Sequence, residues 1–149
     1  MAVPMSGPGR PERRHPRPSW PALLRAAPAV LCTLLRLRRL HRRLDMDALV
    51  AAMTPAATCP RQTDARGAAY LARALAHRLP RLFPQPCLYA SLTGYHFLRL
   101  AGEDAVVRVG VRAEEGRLLS HAWVEVDGQP CFDDPPLEGF VEMVAYPRR

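Results

Sequence analysis

The spacing of the apolar residues changes once along the chain, and this change constrains the fold more than any other feature. Before Gly102 apolar residues recur every three to four positions, which is the period of an amphipathic helix. After Gly102 apolar and polar residues alternate, which is the period of a half-buried strand. The chain is therefore expected to form helices first and an antiparallel sheet afterwards, an α+β fold.

Four helices and four strands are predicted. The helices cover residues 21–44, 45–53, 64–79 and 87–101, with Thr63 or Asp64 as the N-cap of the third and Gly102 as a C-terminal cap. Pro28 is expected to kink or restart the first helix. The strands cover residues 105–111, 118–126, 129–133 and 140–146, and they are expected to form an antiparallel β-meander with a hairpin at Asp127–Gly128.

The positive charge of the chain is concentrated at its N-terminal end. Residues 1–44 contain ten arginines and a single acid, Glu12, whereas the rest of the 149-residue chain is nearly neutral. We expect a disordered Pro/Arg-rich tail over residues 1–19 and one domain over residues 20–149. No nucleic-acid-binding motif accompanies the arginines, so nucleic acid is not an expected partner. The basic helix could dock on a partner or lie on a membrane surface, but packing on its own domain is favoured.

The cysteines and the apolar runs address the cellular compartment. Cys32, Cys59, Cys87 and Cys131 include no C-x-x-C pair, so a zinc site of ordinary spacing is not expected. No small-residue cleavage site follows the apolar stretch near the N-terminus, and no apolar run reaches the roughly 18 residues of a spanning helix. We therefore expect a cytoplasmic protein with reduced thiols.

One group of residues has the chemistry of a nucleophilic active site. Cys87 follows a proline at the start of a predicted helix, where free N–H groups and the helix dipole favour a thiolate. Ser91 and Gly94 lie on the same stripe, and such small residues would let the helix approach a sheet closely. His121 lies in the middle of the second strand and is the candidate base.

The third member of this group depends on the register of the hairpin. A two-residue turn pairs Val126 with Gln129 and places Asp134 opposite His121. A three-residue loop pairs Val126 with Pro130 and places Asp133 on the face of His121. Because a proline cannot donate to the sheet ladder, a bulge at Pro130 is tolerated, and the sequence favours the three-residue loop and Asp133.

The stretch from Cys87 to Asp134 resembles a known family of enzymes. The pieces CLYASLTGYHFLRLAG and AVVRVGVRAEEGRLLSHAWVEVDGQPCFDD are similar to the transglutaminase-like leader peptidase of lasso peptide biosynthesis. The resemblance rests on the Cys-Leu helix, an R-x-G-V element at Arg108–Val111, and H-A-W-V-E followed by an Asp. It is close over roughly the last 65 residues and weak before them.

The resemblance implies a fold, a triad and partners. The fold would be a transglutaminase-like, papain-like cysteine protease core, with a helical part at 20–80 and a catalytic core at 81–149. The nucleophile falls on Cys87, the base on His121 and the acid on Asp133, with no cofactor or metal. The substrate would be a ribosomally made precursor peptide, whose leader a separate recognition protein presents, and a partner asparagine-synthetase-like cyclase would then close the macrolactam. At 149 residues the chain matches the stand-alone peptidase of such a split system.

Two other functions use the same residues differently. Transglutaminases and arylamine acyltransferases form an acyl enzyme with Cys, His and Asp and pass the acyl group to an amine. A non-catalytic interaction module would use Cys87 and His121 only as structural residues.

Overall fold

The computed structural model describes residues 18–59, 64–132 and 137–148, and within them four helices precede four strands. The predicted α+β class is confirmed. The helices are α1 (Trp20–His41), α2 (Met46–Met53), α3 (Ala65–Arg78) and α4 (Pro86–Leu100). The strands are β1 (Ala105–Glu114), β2 (Arg117–Val126), β3 (Gln129–Pro130) and β4 (Val141–Tyr146).

Side-chain caps fix the starts of α2 and α3. Asp45 accepts a hydrogen bond from the backbone N–H of Ala48, and Asp64 accepts one from Gly67, both at 2.9 Å. Each bond satisfies one of the N–H groups that a helix leaves free in its first turn. Asp64 is therefore the cap of α3, whereas the alternative, Thr63, lies outside the described residues.

The first helix runs through Pro28 without a break, although a restart there was one expectation. Val30, Leu34 and Leu37 are fully buried on one face of α1, which packs mainly on α3. By length and composition alone α1 could cross a membrane, because an 18-residue window has a mean hydropathy of 1.3. Only 17% of that window is buried, so the helix packs on its domain along one stripe and exposes the rest.

The strand order in the sheet is β3-β2-β1-β4, and all pairs are antiparallel. β1, β2 and β3 form the predicted meander, but the fourth strand does not extend it. β4 returns to pair with β1, which gives the strand order of a Greek key. The sequence alone did not predict this return, because β4 and β1 lie far apart along the chain.

The hairpin between β2 and β3 has a two-residue turn, so the predicted three-residue loop is wrong. Val126 pairs with Gln129, and Asp127 and Gly128 have φ values of 53° and 71°. Positive φ at both central residues is the type I′ geometry, which matches the twist of the flanking strands and which Asp-Gly favours.

The position of Pro130 explains why no bulge is needed. The backbone N–H of Cys131 donates to the carbonyl of Val124 at 2.9 Å, so the ladder bonds fall at residues 124 and 126 of β2. Pro130, opposite Glu125, occupies the intervening pair, which exchanges no ladder bonds. Its missing N–H therefore costs the sheet nothing.

Helix α4 lies between α3 and the sheet and connects the two layers. A Cβ atom at Gly94 would lie 3.3 Å from Ala69 Cβ on α3 and 3.6 Å from Val124 Cγ1 on β2. Ser91, one turn earlier, is buried and donates to the carbonyl of Ala122 at 2.9 Å. The prediction that small residues allow α4 to approach the sheet is confirmed.

We expect Gly94→Val to destabilise the protein by about 1–3 kcal/mol, because the added methyl groups overpack the contacts of α4 with α3 and with β2. Ala29→Val, at an exposed position of α1, is the control and should cost only about 0.5 kcal/mol through helix propensity. Urea unfolding followed by circular dichroism measures both changes. Equal losses in the two variants would mean that Gly94 is not needed for the close approach.

Candidate active site

A cavity lies where the start of α4 meets the middle of β2 and the C-terminal half of α3. It brings together the predicted nucleophile, Cys87, and the predicted base, His121. Its lining residues are Arg73, His77, Cys87, Ala90, Ser91, His121, Ala122, Trp123, Val124 and Phe132. A half-buried thiol and an imidazole therefore line the same cavity.

Prolines and one buried aromatic residue fix the start of α4. Pro86 occupies the first turn, where its fixed φ suits a helix and its missing N–H is no loss. Phe83, just before the helix, is fully buried and packs on Tyr89, with ring centroids 5.3 Å apart. This packing anchors the first turn, and Cys87 is therefore presented at a fixed position.

The first two turns of α4 also contact the edge of β2 at Ala122. Ser91 donates to the carbonyl of Ala122, and a backbone hydrogen bond at Ala122 acts on the Cys87 thiol. Both contacts fall on the residue that follows His121. The predicted nucleophile is thus bonded to the residue next to the predicted base, at the point where β3 no longer pairs with β2.

The acidity of Cys87 differs from the sequence-based expectation. Burial raises the pKa of the Cys87 thiol above its ordinary value of 9.0. Backbone hydrogen bonds at Cys87 itself, the positive charge of Arg73 and the backbone bond at Ala122 all lower the pKa, but burial outweighs them. The expected thiolate at the helix start is therefore not favoured in the resting protein, and attack on a substrate needs a base.

Two aromatic rings surround His121. The indole of Trp123 stacks on the imidazole, with centroids 6.1 Å apart and an interplanar angle of 16°. Phe140 lies 5.5 Å from the imidazole at 44° and also contacts Trp123. These rings confine the imidazole to one region of the cavity.

The two motifs of the sequence lie opposite each other on neighbouring strands. In the pairing of β1 with β2, Gly110 faces His121 and Arg108 faces Trp123. The R-x-G-V and H-A-W-V-E elements therefore form one patch of the sheet beside the cavity.

The predicted acid, Asp133, lies outside the described residues, as does its alternative, Asp134. Phe132, the residue just before Asp133, lines the cavity. The observed register pairs Val126 with Gln129, and the sequence predicts Asp134 opposite His121 for this two-residue turn. The register argument for Asp133 therefore falls away, and the resemblance remains its support.

Sequence reasoning did not find the contributions of α3 and of the segment after β3. Arg73 contributes a positive charge near Cys87, and its guanidinium lies 5.6 Å from the centre of the Phe132 ring. The spacing of Arg73 and His77 places them on one helical face, but such a pair is also typical of a solvated surface. Across the described ranges, no group of three or more His, Cys, Asp or Glu side chains could hold a metal ion.

Comparison with known proteins agrees with the fold. The family model of the transglutaminase-like superfamily matches residues 29–145, which include α2, α3, α4, the first three strands, most of β4 and the C-terminal part of α1. No curated protein and no solved structure matches the chain. The match extends over most of the chain and spans both Cys87 and His121, so the protein belongs to the transglutaminase-like superfamily.

Proposed function

We propose that the protein is a cysteine peptidase that removes the leader from a ribosomally made lasso peptide precursor. The superfamily includes cysteine proteases and transglutaminases, and both form an acyl enzyme on a cysteine. The observation that carries the proposal is the shared cavity of Cys87 and His121, in which both residues contact or adjoin Ala122. The resemblance of H-A-W-V-E and the Cys-Leu helix to lasso leader peptidases supports the choice of substrate.

The proposed reaction has two steps. His121 takes the proton of the Cys87 thiol as the sulfur attacks the carbonyl carbon of the last leader residue. The tetrahedral intermediate collapses to a thioester, and the amine of the core peptide leaves with the proton that His121 returns. Water, deprotonated by His121, then hydrolyses the thioester and frees the leader as a carboxylate. The backbone N–H of Cys87 is a candidate donor to the oxyanion, and Asp133 is the proposed partner that orients the imidazole.

The products of this reaction lead on to the other proposed partners. A separate recognition protein would hold the leader, and the freed amino group of the core would become the substrate of an ATP-using cyclase. The alternative is an acyltransferase that uses the same Cys87 thioester but passes the acyl group to an amine. A new isopeptide or acylated amine, in place of a free leader carboxylate, would identify this alternative.

Incubation with the precursor peptide and its recognition protein tests the proposal directly. We expect a single cut between leader and core, detected by mass spectrometry, which Cys87→Ala and His121→Asn abolish because they remove the nucleophile and the base. Cys32→Ala, at an exposed position on α1, is the matched control and should cleave like the wild type. Cleavage that survives Cys87→Ala would contradict the proposal.

The same assay distinguishes the two candidate acids. Asp133→Asn is expected to lower cleavage by orders of magnitude, about 10²–10⁴-fold if it disturbs the catalytic imidazole. Asp134→Asn should retain activity. The reverse result would assign the acid to Asp134, in agreement with the two-residue turn and against the resemblance.

The raised pKa of Cys87 predicts how its alkylation depends on pH. Only the thiolate reacts, so the rate with iodoacetamide should still increase as the pH passes 9.0, where an ordinary thiol is half ionised. Burial raises the pKa of Cys131 to about 11, so Cys131 should react more slowly than Cys87 throughout this range. Mass spectrometry of arginine-cleaved peptides measures each site. A plateau for Cys87 below pH 9 would show that its thiolate is stabilised instead.

We also propose that the protein works in the cytoplasm and that its first helix binds an anionic membrane surface. Four apolar side chains on one face of α1 are exposed, namely Trp20 (71%), Leu24 (57%), Leu31 (41%) and Leu35 (39%). Residues 20–44 include six arginines and no acid. An exposed apolar stripe flanked by arginines is typical of helices that lie in the interface of a membrane.

Co-sedimentation with lipid vesicles tests this docking. We expect binding to vesicles that contain phosphatidylserine, weak binding to phosphatidylcholine alone, and loss of binding at high salt because the charges are screened. Leu24→Asp with Leu31→Asp should abolish the binding. Leu118→Asp, at an apolar residue of β2 that is more exposed than either leucine, is the control. Equal sedimentation of both variants would rule out α1 as the docking face.

A further inference from the structure

We propose that Arg108 and Glu125 position the base, His121, through the indole of Trp123. This inference rests on the proposed role of His121. The four residues occupy one face of the sheet, and none of the other three has a role in the mechanism above. The argument concerns how the imidazole is held, so Arg108, Glu125 and Trp123 are positioning residues.

Hydrogen bonds fix the orientation of Trp123. Its indole N–H donates to Glu125 Oε1 at 2.8 Å. The other oxygen of Glu125 accepts from Arg108 Nε at 2.5 Å, and Arg108 also pairs with Glu142 on β4. The carboxylate of Glu125 is only 13% exposed, so competition from water is limited.

The space for the indole comes from a missing side chain on β1. A Cβ atom at Gly110 would lie 3.0 Å from Trp123 Cη2, 3.1 Å from its Cζ3 and 2.8 Å from the carbonyl oxygen of Val141. Any side chain at Gly110 would therefore push the ring away. The indole lies over Gly110, which pairs with His121, so the ring is directly beside the imidazole.

The neighbouring indole limits the imidazole to one side of the cavity, because the two rings are nearly parallel and their centroids are 6.1 Å apart. If the indole rotates, this restraint weakens. The charge pair of Arg108 with Glu125 is therefore expected to influence the base without contacting it.

The fluorescence of Trp123 tests this contact without any substrate. The chain has two tryptophans, so Trp20→Phe leaves Trp123 as the only indole. Protonation of the stacked imidazole should quench its emission as the pH falls, and His121→Asn should remove this titration. In the same background, Glu125→Ala should reduce the amplitude by more than half, and Glu125→Gln, which keeps the shape and one acceptor, should reduce it less.

Cleavage kinetics give the second readout. Glu125→Ala should lower kcat by about tenfold or more with KM nearly unchanged, because the base is misplaced while the peptide still binds. Glu103→Gln is the matched control, since Glu103 pairs with Arg66 at 3.1 Å outside the cavity. It should change neither the titration nor kcat.

The outcomes separate this inference from the proposed function. A titration that depends on His121 and decreases in the Glu125 variants supports the positioning role, even if the precursor peptide is not cut. A wild-type protein without such a titration, or Glu125 variants with full amplitude, would overturn it whatever the cleavage assay gives. Circular dichroism of each variant verifies folding, and Glu125→Gln decides the result if Glu125→Ala unfolds.

Discussion

The contact of the first two turns of α4 with the edge of β2 at Ala122 determines how the residues of the candidate site are arranged. β3 ends at Pro130, so the residues of β2 that precede Val124 need other hydrogen-bond partners at this edge. A buried backbone group without a hydrogen bond is costly. Ser91 bonds the carbonyl of Ala122, and a backbone bond at Ala122 reaches the thiol of Cys87. The interactions that complete the sheet edge therefore also place Cys87 at the cavity that His121 lines.

The packing of α4 also changes the acidity of the Cys87 thiol. Packing α4 against α3 and the sheet half-buries Cys87, and burial disfavours the thiolate more than the helix start and Arg73 favour it. A resting thiol is protected from alkylation and oxidation, which act on the thiolate. In the proposed mechanism its reactivity then depends on proton transfer to His121, so the fold must control the position of the imidazole.

The sequence predicted the local structure well and the long-range pairing poorly. The change of period at Gly102, the cap at Asp64, and the small residues Ser91 and Gly94 are local signals, and each is found in the structure. The predicted hairpin register is wrong because Pro130, whose missing N–H is compatible with a bulge, lies between the ladder bonds of the observed pairing and needs none. Arg73 and Phe132 approach the site only through tertiary packing, which no spacing rule reveals.

The return of β4 to β1 was the main feature of the fold that the sequence did not predict, and it completes the surroundings of the base. It places Glu142 beside Arg108, which also bonds Glu125. Phe140, the residue just before β4, contacts the imidazole. In a continuous meander β4 would lie beyond β3, on the far side of β2 from Arg108. The helical layer thus supplies the proposed nucleophile, and the β1–β2 hairpin supplies the proposed base. The pairing of β1 with β2 brings the two sequence motifs together, and the Greek-key return adds Glu142 to their network.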